Sequence, residues 1–210
     1  MVYDKILFRN IFLKKTYSGI TARYHIPDKE VNHMFDYKKF EDRLVLQMEN
    51  TLAKLLKEHD DIYIFSLSLS SDADSVWVIA NTTHNLEETS DPGDEEYYYY
   101  KYCEEEWDLW ETDDFDSISE ELDNYDVYEE EDGETDNGED AFCIHRDKAI
   151  ESCQNALIRF NTYKNKNCPG LLLAFYVREY LGGEECIELF EKLNSKEALA
   201  EYSEHIEDFV

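Results

Sequence analysis

The sequence is short of positive charge. Its 210 residues include 20 lysines and arginines against 50 aspartates and glutamates, which gives a formal net charge of −30. A chain with this charge repels phosphate backbones and anionic membrane surfaces, and it attracts basic proteins. We therefore expect neither a nucleic acid nor a membrane as partner.

Proline, glycine and long apolar runs are scarce as well. Three prolines and seven glycines leave few chain breakers, so long regular elements are expected. No run of about 18 apolar residues is present, which argues against a membrane-spanning helix. Residues 1–15 do not follow the order of a secretory signal peptide. These absences predict a cytoplasmic protein.

The sequence shows no pattern typical of an enzyme or a metal site. A nucleophile elbow, a zinc-protease helix and a phosphate-binding glycine loop are all missing. The five cysteines are odd in number and widely spaced, which argues against a disulfide framework or a zinc ribbon. The pair Cys143 and His145 is better explained as a buried thiol beside a histidine near a helix start. We predict no catalytic residues, no cofactor and no metal.

What the sequence does contain is one long acidic stretch, residues 87–140, here called the acidic segment. It holds 26 acidic residues and a single basic one, Lys101, so it carries −25 of the net charge. Acid alone would indicate disorder, but large aromatic rings give this segment something to bury. Those rings are Tyr97–Tyr100, Tyr102, Trp107, Trp110, Phe115, Tyr125 and Tyr128.

Three interpretations of the acidic segment remain open. It binds a basic protein, with Glu129, Glu130, Glu131 and Asp132 attracting the partner and Tyr97, Tyr98, Tyr99 and Tyr100 as anchors. Or Asp132, Glu134 and Asp136 hold a cation, although the glycine and the closing glutamate of a calcium loop are not where that loop requires them. Or the acids serve only solubility. A DNA-mimicking inhibitor is a variant of the first interpretation.

Hydrophobic periodicity predicts the elements around this segment. Three- and four-residue spacing predicts helices over Lys38–His59, Ala141–Tyr163 and Glu184–Leu193, and Ser195 is expected to begin a last helix. Alternation predicts a hairpin of Ile62–Ser70 with Ser75–Asn81, and a continuous apolar run predicts a buried central strand over Leu171–Val177.

Within the acidic segment the predictions are a third strand at Tyr97–Tyr102, a helix at Asp116–Tyr128 and a mobile loop at Glu129–Asp140. Trp77 is expected in the core, and so is at least one of Trp107 and Trp110, which would share a face if they lay on a helix.

Together these patterns predict an α+β fold in which a mostly antiparallel sheet packs against helices in a single domain. We divide the chain into an N-terminal extension, residues 1–37, for which a strand pair or an irregular wrap is expected, and a domain, residues 38–210. The acidic and aromatic residues at about 87–140 form an insertion in that domain.

The order of elements from about Lys38 to Leu193 also resembles a known family. The resemblance is carried by the Lys38 helix, Ile62–Leu67, Val76–Thr82, the tyrosine run with Glu106–Trp107, the helix around Cys153 and the strand Leu172–Val177. The chain resembles the bacterial family known only as domain of unknown function 4303. Residues 1–37 and Glu129–Asp140 lie outside the family's pattern. The family has no agreed catalytic residues to carry over.

Small acidic members of that family look like immunity proteins of bacterial toxin systems. The resemblance therefore implies an acidic cytosolic binding protein that neutralises a basic partner. The partner it implies is a cognate toxin domain. Its mechanism would be steric and electrostatic occlusion. The alternative is a globular protein with no dedicated basic partner, whose acids keep it soluble.

Overall fold

The computed structural model describes residues 35–125, 137–177 and 180–209. The chain from Phe35 onward forms one compact unit with an α+β fold. Its described part contains seven α-helices and one four-stranded sheet. The helices are α1 Tyr37–Glu58, α2 Thr83–Thr89, α3 Tyr97–Tyr102, α4 Asp116–Asp123, α5 Asn137–Asn167, α6 Gly183–Leu193 and α7 Lys196–His205. The strands are β1 Ile62–Leu69, β2 Val76–Thr82, β3 Leu109–Glu111 and β4 Leu172–Val177.

The sheet has the order β3-β2-β1-β4 and is mostly antiparallel, as predicted. β1 and β2 form the predicted hairpin, with Leu69 opposite Val76 at its closed end. The turn is tight because the Ser70 hydroxyl accepts hydrogen bonds from the backbone of Asp74 at 3.0 Å and Ser75 at 3.1 Å. Ala73 completes the turn at a φ of 54°, in the left-handed region.

The first face of the sheet packs against the two long helices. Phe65, Leu67 and Leu69 of β1 point into this layer and are fully buried. α1 presents a stripe at three- and four-residue spacing, and α5 presents another, so the predicted amphipathic helices are confirmed. The stripes are Phe40, Leu44, Met48, Leu52 and Leu55 on α1, and Ala149, Cys153, Ala156, Leu157 and Phe160 on α5.

The second face of the sheet is covered too, which the alternation in β1 did not indicate. Ser66 and Ser68, which alternate with the apolar residues of β1, are 0% and 1% exposed. A second core covers this face and includes Phe190 of α6, Tyr202 of α7 and Ile206, which directly follows α7. A strand with polar residues at every second position is therefore buried on both sides, because its serines are small enough to lie beneath other side chains.

The strand Leu172–Val177 is buried as predicted, but it is not central. It lies at one edge of the sheet and pairs in parallel with β1, where Ile64 is opposite Leu172. Helices cover both of its faces, so an edge strand acquires the apolar sequence of a central one. Asn194 covers part of its edge, since its side chain bonds the Leu173 N–H at 2.9 Å and the Leu173 carbonyl at 2.8 Å.

Two further predictions are wrong in part. Residues Asn137–Asp140, assigned to the mobile loop, belong to the backbone of α5. Trp77 was expected to be core, yet it is only half-buried at the margin of the second face. The N-terminal extension up to residue 34 and the loop residues 126–136 lie outside the described residues. No described helix is both long and apolar enough to cross a membrane.

Candidate functional site

The tyrosine run forms a helix, α3, and not the strand that the sequence predicts. Tyrosine favours strands because it suits a half-buried surface. α3 provides the same environment in another way, since it lies against α7: Tyr97–Tyr100 are half-buried and Tyr102 is 0% exposed. The strand preference is therefore overridden by a helix partner more than 90 residues away in the chain.

Side-chain contacts fix α3 on α7. The rings of Tyr98 and His205 stack at 3.6 Å, and Tyr102 meets Tyr202 edge-on at 5.2 Å. Glu201 accepts hydrogen bonds from Lys101 Nζ and from the Tyr102 hydroxyl, each at 2.5 Å. Burial opposes ionisation of Glu201, but these two bonds outweigh it and hold the pKa of Glu201 below its ordinary value. Lys101, the one cation of the acidic segment, is thus committed to an internal ion pair.

The four predicted tyrosine anchors do not all have the same surroundings. Tyr98 belongs to the second core through its stack on His205. Tyr99 directs its hydroxyl to Glu106 Oε1 at 3.3 Å, and its ring meets Tyr100 at 5.5 Å. Tyr97, Tyr99 and Tyr100 keep part of their surface exposed and remain candidate anchors. The acidic residues predicted to act with them, Glu129, Glu130, Glu131 and Asp132, lie outside the described residues.

The turn after α3 buries a carboxylate that sequence reasoning missed. Glu104 is 6% exposed and accepts a hydrogen bond from the Ser68 hydroxyl on the second face of the sheet. Three glutamates stand in a row at 104–106, so composition offers no means of telling the inner one from the others. The weak signal is Ser68 itself, a polar residue placed between Leu67 and Leu69 in the strand. Glu104 ties the acidic segment to the sheet and is not available to a partner.

Two tryptophans three residues apart differ in burial. Trp107 is 3% exposed and meets Tyr176 at 6.3 Å in the second core. Trp110 is 46% exposed and lies on β3 opposite Ile79. The Trp110 indole N–H donates to the Trp107 carbonyl at 2.8 Å, which orients the exposed ring. One of the pair is buried, as predicted, although the two do not share a helix face because Trp110 lies on a strand.

Cations of α1 neutralise only the inner border of the acidic segment. Lys54 contacts Glu111 at 2.7 Å and Asp114 at 3.3 Å, while Lys39 and Arg43 both bind Glu121. Farther out, several acids are exposed and form no ion pair within the described part of the chain. They are Glu96, Asp108, Asp113, Asp116, Glu120 and Asp123. The outer surface is therefore a field of uncompensated carboxylates.

An open groove of about 320 Å³ lies in this field, between the hairpin turn and α4. Its lining is Asp74, Ser75, Asp116, Ser119, Glu120 and Asp123. Ser119 joins the two elements, since its hydroxyl bonds both the N–H and the carbonyl of Val76 at 3.1 Å. Four carboxylates around one groove favour a cationic side chain over an anionic one.

The possible metal pair of the sequence has other partners. His145 is buried, its Nδ1 lies 2.7 Å from the Tyr37 hydroxyl, and burial lowers its pKa. Cys143 is contacted by Arg146 at 3.6 Å. Among the residues that the structure describes, no group of three or more histidine, cysteine or acidic side chains is placed to hold a metal ion. The candidate calcium residues from Asp132 to Asp136 fall outside that part.

The fold and these surface residues define an α+β protein whose acidic segment exposes many carboxylates, one tryptophan and several half-buried tyrosines. The model of the family described as Domain of unknown function (DUF4303) matches residues 47–195, which spans most of the chain. The chain belongs to that family. Neither the curated proteins nor the solved structures include a match to this chain.

Proposed function

We propose that this protein binds and neutralises a basic protein, and specifically that it is the immunity protein of a bacterial toxin. The observation that carries the proposal is that exposed carboxylates of the acidic segment lack internal ion pairs, while the same segment also exposes Trp110 and part of the α3 tyrosines. Long-range attraction from such a field speeds encounter with a basic surface, and aromatic anchors slow release.

A solubilising surface needs only charge, whereas this one also has oriented aromatics. The hydrogen bond from Trp110 to Trp107 holds the exposed indole in a fixed position, and the stack of Tyr98 on His205 fixes α3, which carries the candidate anchors. Preorganised rings lose little freedom on binding. The five cysteines of the chain are free, which suits a reducing compartment, and we propose the cytoplasm.

The test is binding to the toxin domain encoded by the gene next to that of this protein. Association and dissociation rates are measured by stopped flow at several salt concentrations. Attraction between exposed charges weakens as the Debye length falls from about 10 Å at 0.1 M salt to about 3 Å at 1 M. We expect the association rate to fall with it, while the dissociation rate changes little.

The first variant replaces Glu129, Glu130, Glu131 and Asp132 by their amides and should slow association. Its matched control makes the same change of charge at Glu184, Glu188, Glu191 and Glu197, which are exposed on α6 and α7. Alanine at Tyr97, Tyr99 and Tyr100 should instead speed dissociation. An association rate that changes neither with salt nor with either set of amide substitutions would favour the solubility interpretation. Competition by a DNA duplex for the same site on the toxin would indicate a DNA mimic.

A further inference from the structure

The described sheet has two edges, and their backbone groups have different partners. At the β4 edge, the side chain of Asn194 bonds both backbone groups of Leu173. The opposite edge is β3, which pairs with β2 through Leu109–Ala80, Trp110–Ile79 and Glu111–Val78. In the described chain no further strand lies beyond β3. An edge strand offers a row of backbone donors and acceptors to any chain that can approach it.

Charge around β3 selects what can approach. Asp108 and Asp113 flank the strand and are exposed, while Glu111 and Asp114 are turned toward Lys54 of α1. An acidic or neutral strand gains nothing from these flanks, and a second copy of a chain with a net charge of −30 is repelled by them. A strand that carries lysine or arginine is attracted by Asp108 and Asp113 at the two ends of β3.

Trp110 supplies an anchor at the same edge. It is 46% exposed, and its indole is oriented by the 2.8 Å bond to the Trp107 carbonyl. Tryptophan is the best partner for an arginine or lysine side chain over its ring face, and it is enriched among the residues that dominate interfaces. An exposed, oriented tryptophan between two aspartates that form no ion pair in the described chain fits a cationic segment.

We propose that the β3 edge binds an extended basic segment of the partner, which adds to the sheet as a fifth strand with Trp110 as its anchor. This inference rests on the proposed function and adds the place and mode of contact. β3 has three residues at about 3.3 Å each, so the paired stretch is short, and side chains on alternate positions of the segment contact Trp110 and the flanking aspartates.

The probe is a synthetic six-residue peptide that alternates arginine and valine, capped at both ends. It is titrated to millimolar concentration into the whole protein and followed by amide NMR shifts and by hydrogen exchange. We expect shifts and new protection at Leu109–Glu111. Two control peptides separate strand addition from simple attraction: one has glutamate in place of arginine, and one has N-methyl groups on alternate backbone nitrogens. Both should bind at least about tenfold more weakly.

On the protein side, Trp110→Ala should weaken peptide binding by about tenfold. Its matched control is Leu46→Ala, which removes another apolar side chain, 60% exposed on α1. A second variant, Asp108→Asn with Asp113→Asn, keeps the tryptophan and should weaken binding and reduce its salt dependence. The circular dichroism spectrum of each variant establishes that it is folded.

The outcomes separate the two proposals. If the arginine peptide binds with shifts on α3 or α4 and none on β3, or if the N-methylated peptide binds equally well, strand addition is wrong and binding of basic partners stands. If the arginine peptide fails to bind even at low salt, both proposals fail. Protection of β3 in the free protein together with a dimer in sedimentation would show that a second copy occupies this edge, which would also overturn the inference.

Discussion

Alanine at Trp107 should destabilise the fold far more than alanine at Trp110, although the two residues are neighbours in sequence. A tryptophan buries roughly 150–250 Å² of surface. At about 25 cal/mol per Å², the nearly complete burial of Trp107 is worth about 4–6 kcal/mol as an upper estimate. The ring also meets Tyr176 in the second core. We expect Trp107→Ala to lower the free energy of unfolding by about 3–5 kcal/mol.

Trp110 leaves 46% of its surface exposed, so the same reasoning gives about half as much, and its truncation should cost about 1.5–2.5 kcal/mol. Urea unfolding followed by far-UV circular dichroism measures both values, provided that the slopes agree. Trp107→Phe keeps a large ring in the second core and should recover much of the loss. Equal losses for Trp107→Ala and Trp110→Ala would refute the assignment of one ring to the core and the other to the surface.

Two further predictions concern pH. Burial works against ionised Glu201, but the bonds from Lys101 and Tyr102 outweigh it, so the folded-state pKa lies below its ordinary value near 4.5. The stabilisation is then complete above that value and lost as the pH falls through the folded-state pKa; Glu201→Gln should remove this loss, and an unchanged acid transition would contradict it. Burial, assisted by Lys148, lowers the pKa of His145, which lies among Tyr37, Tyr125 and Phe35. The unfolded state then binds the proton more readily, so the melting temperature should fall as the pH drops below about 6.5, and His145→Phe should flatten that slope.

Local pattern was sufficient for most of the elements. The spacing of Phe40, Leu44 and Met48 defines one face of α1, and the alternation around Phe65 and Leu67 defines β1, because each periodicity follows directly from backbone geometry. Ser195 was expected to begin the last helix, and its hydroxyl accepts the Ala198 N–H at 3.2 Å. These features depend on residues a few positions apart, so the sequence alone predicts them.

The features of the candidate site depended on distant partners. Tyr97–Tyr102 forms a helix because α7 supplies His205, Tyr202 and Glu201, and none of these is near it in the chain. Trp107 and Trp110 lie in the same acidic and aromatic stretch of sequence, so local sequence does not distinguish them. Trp107 is buried because it packs into the second core, which forms only in the folded protein. The proposed roles of Glu129–Asp132 stay predictions.

The sequence by itself determined that the chain carries one strongly acidic region, and the expectation of a basic partner was drawn from that charge. Charge is a sum over residues and needs no coordinates. Which carboxylates stand free was decided only by the tertiary structure, because Lys54, Lys39 and Arg43 of α1 reach Glu111, Asp114 and Glu121 across the fold. The open β3 edge with Trp110 arises in the same way, since a strand becomes an edge only through the arrangement of the others.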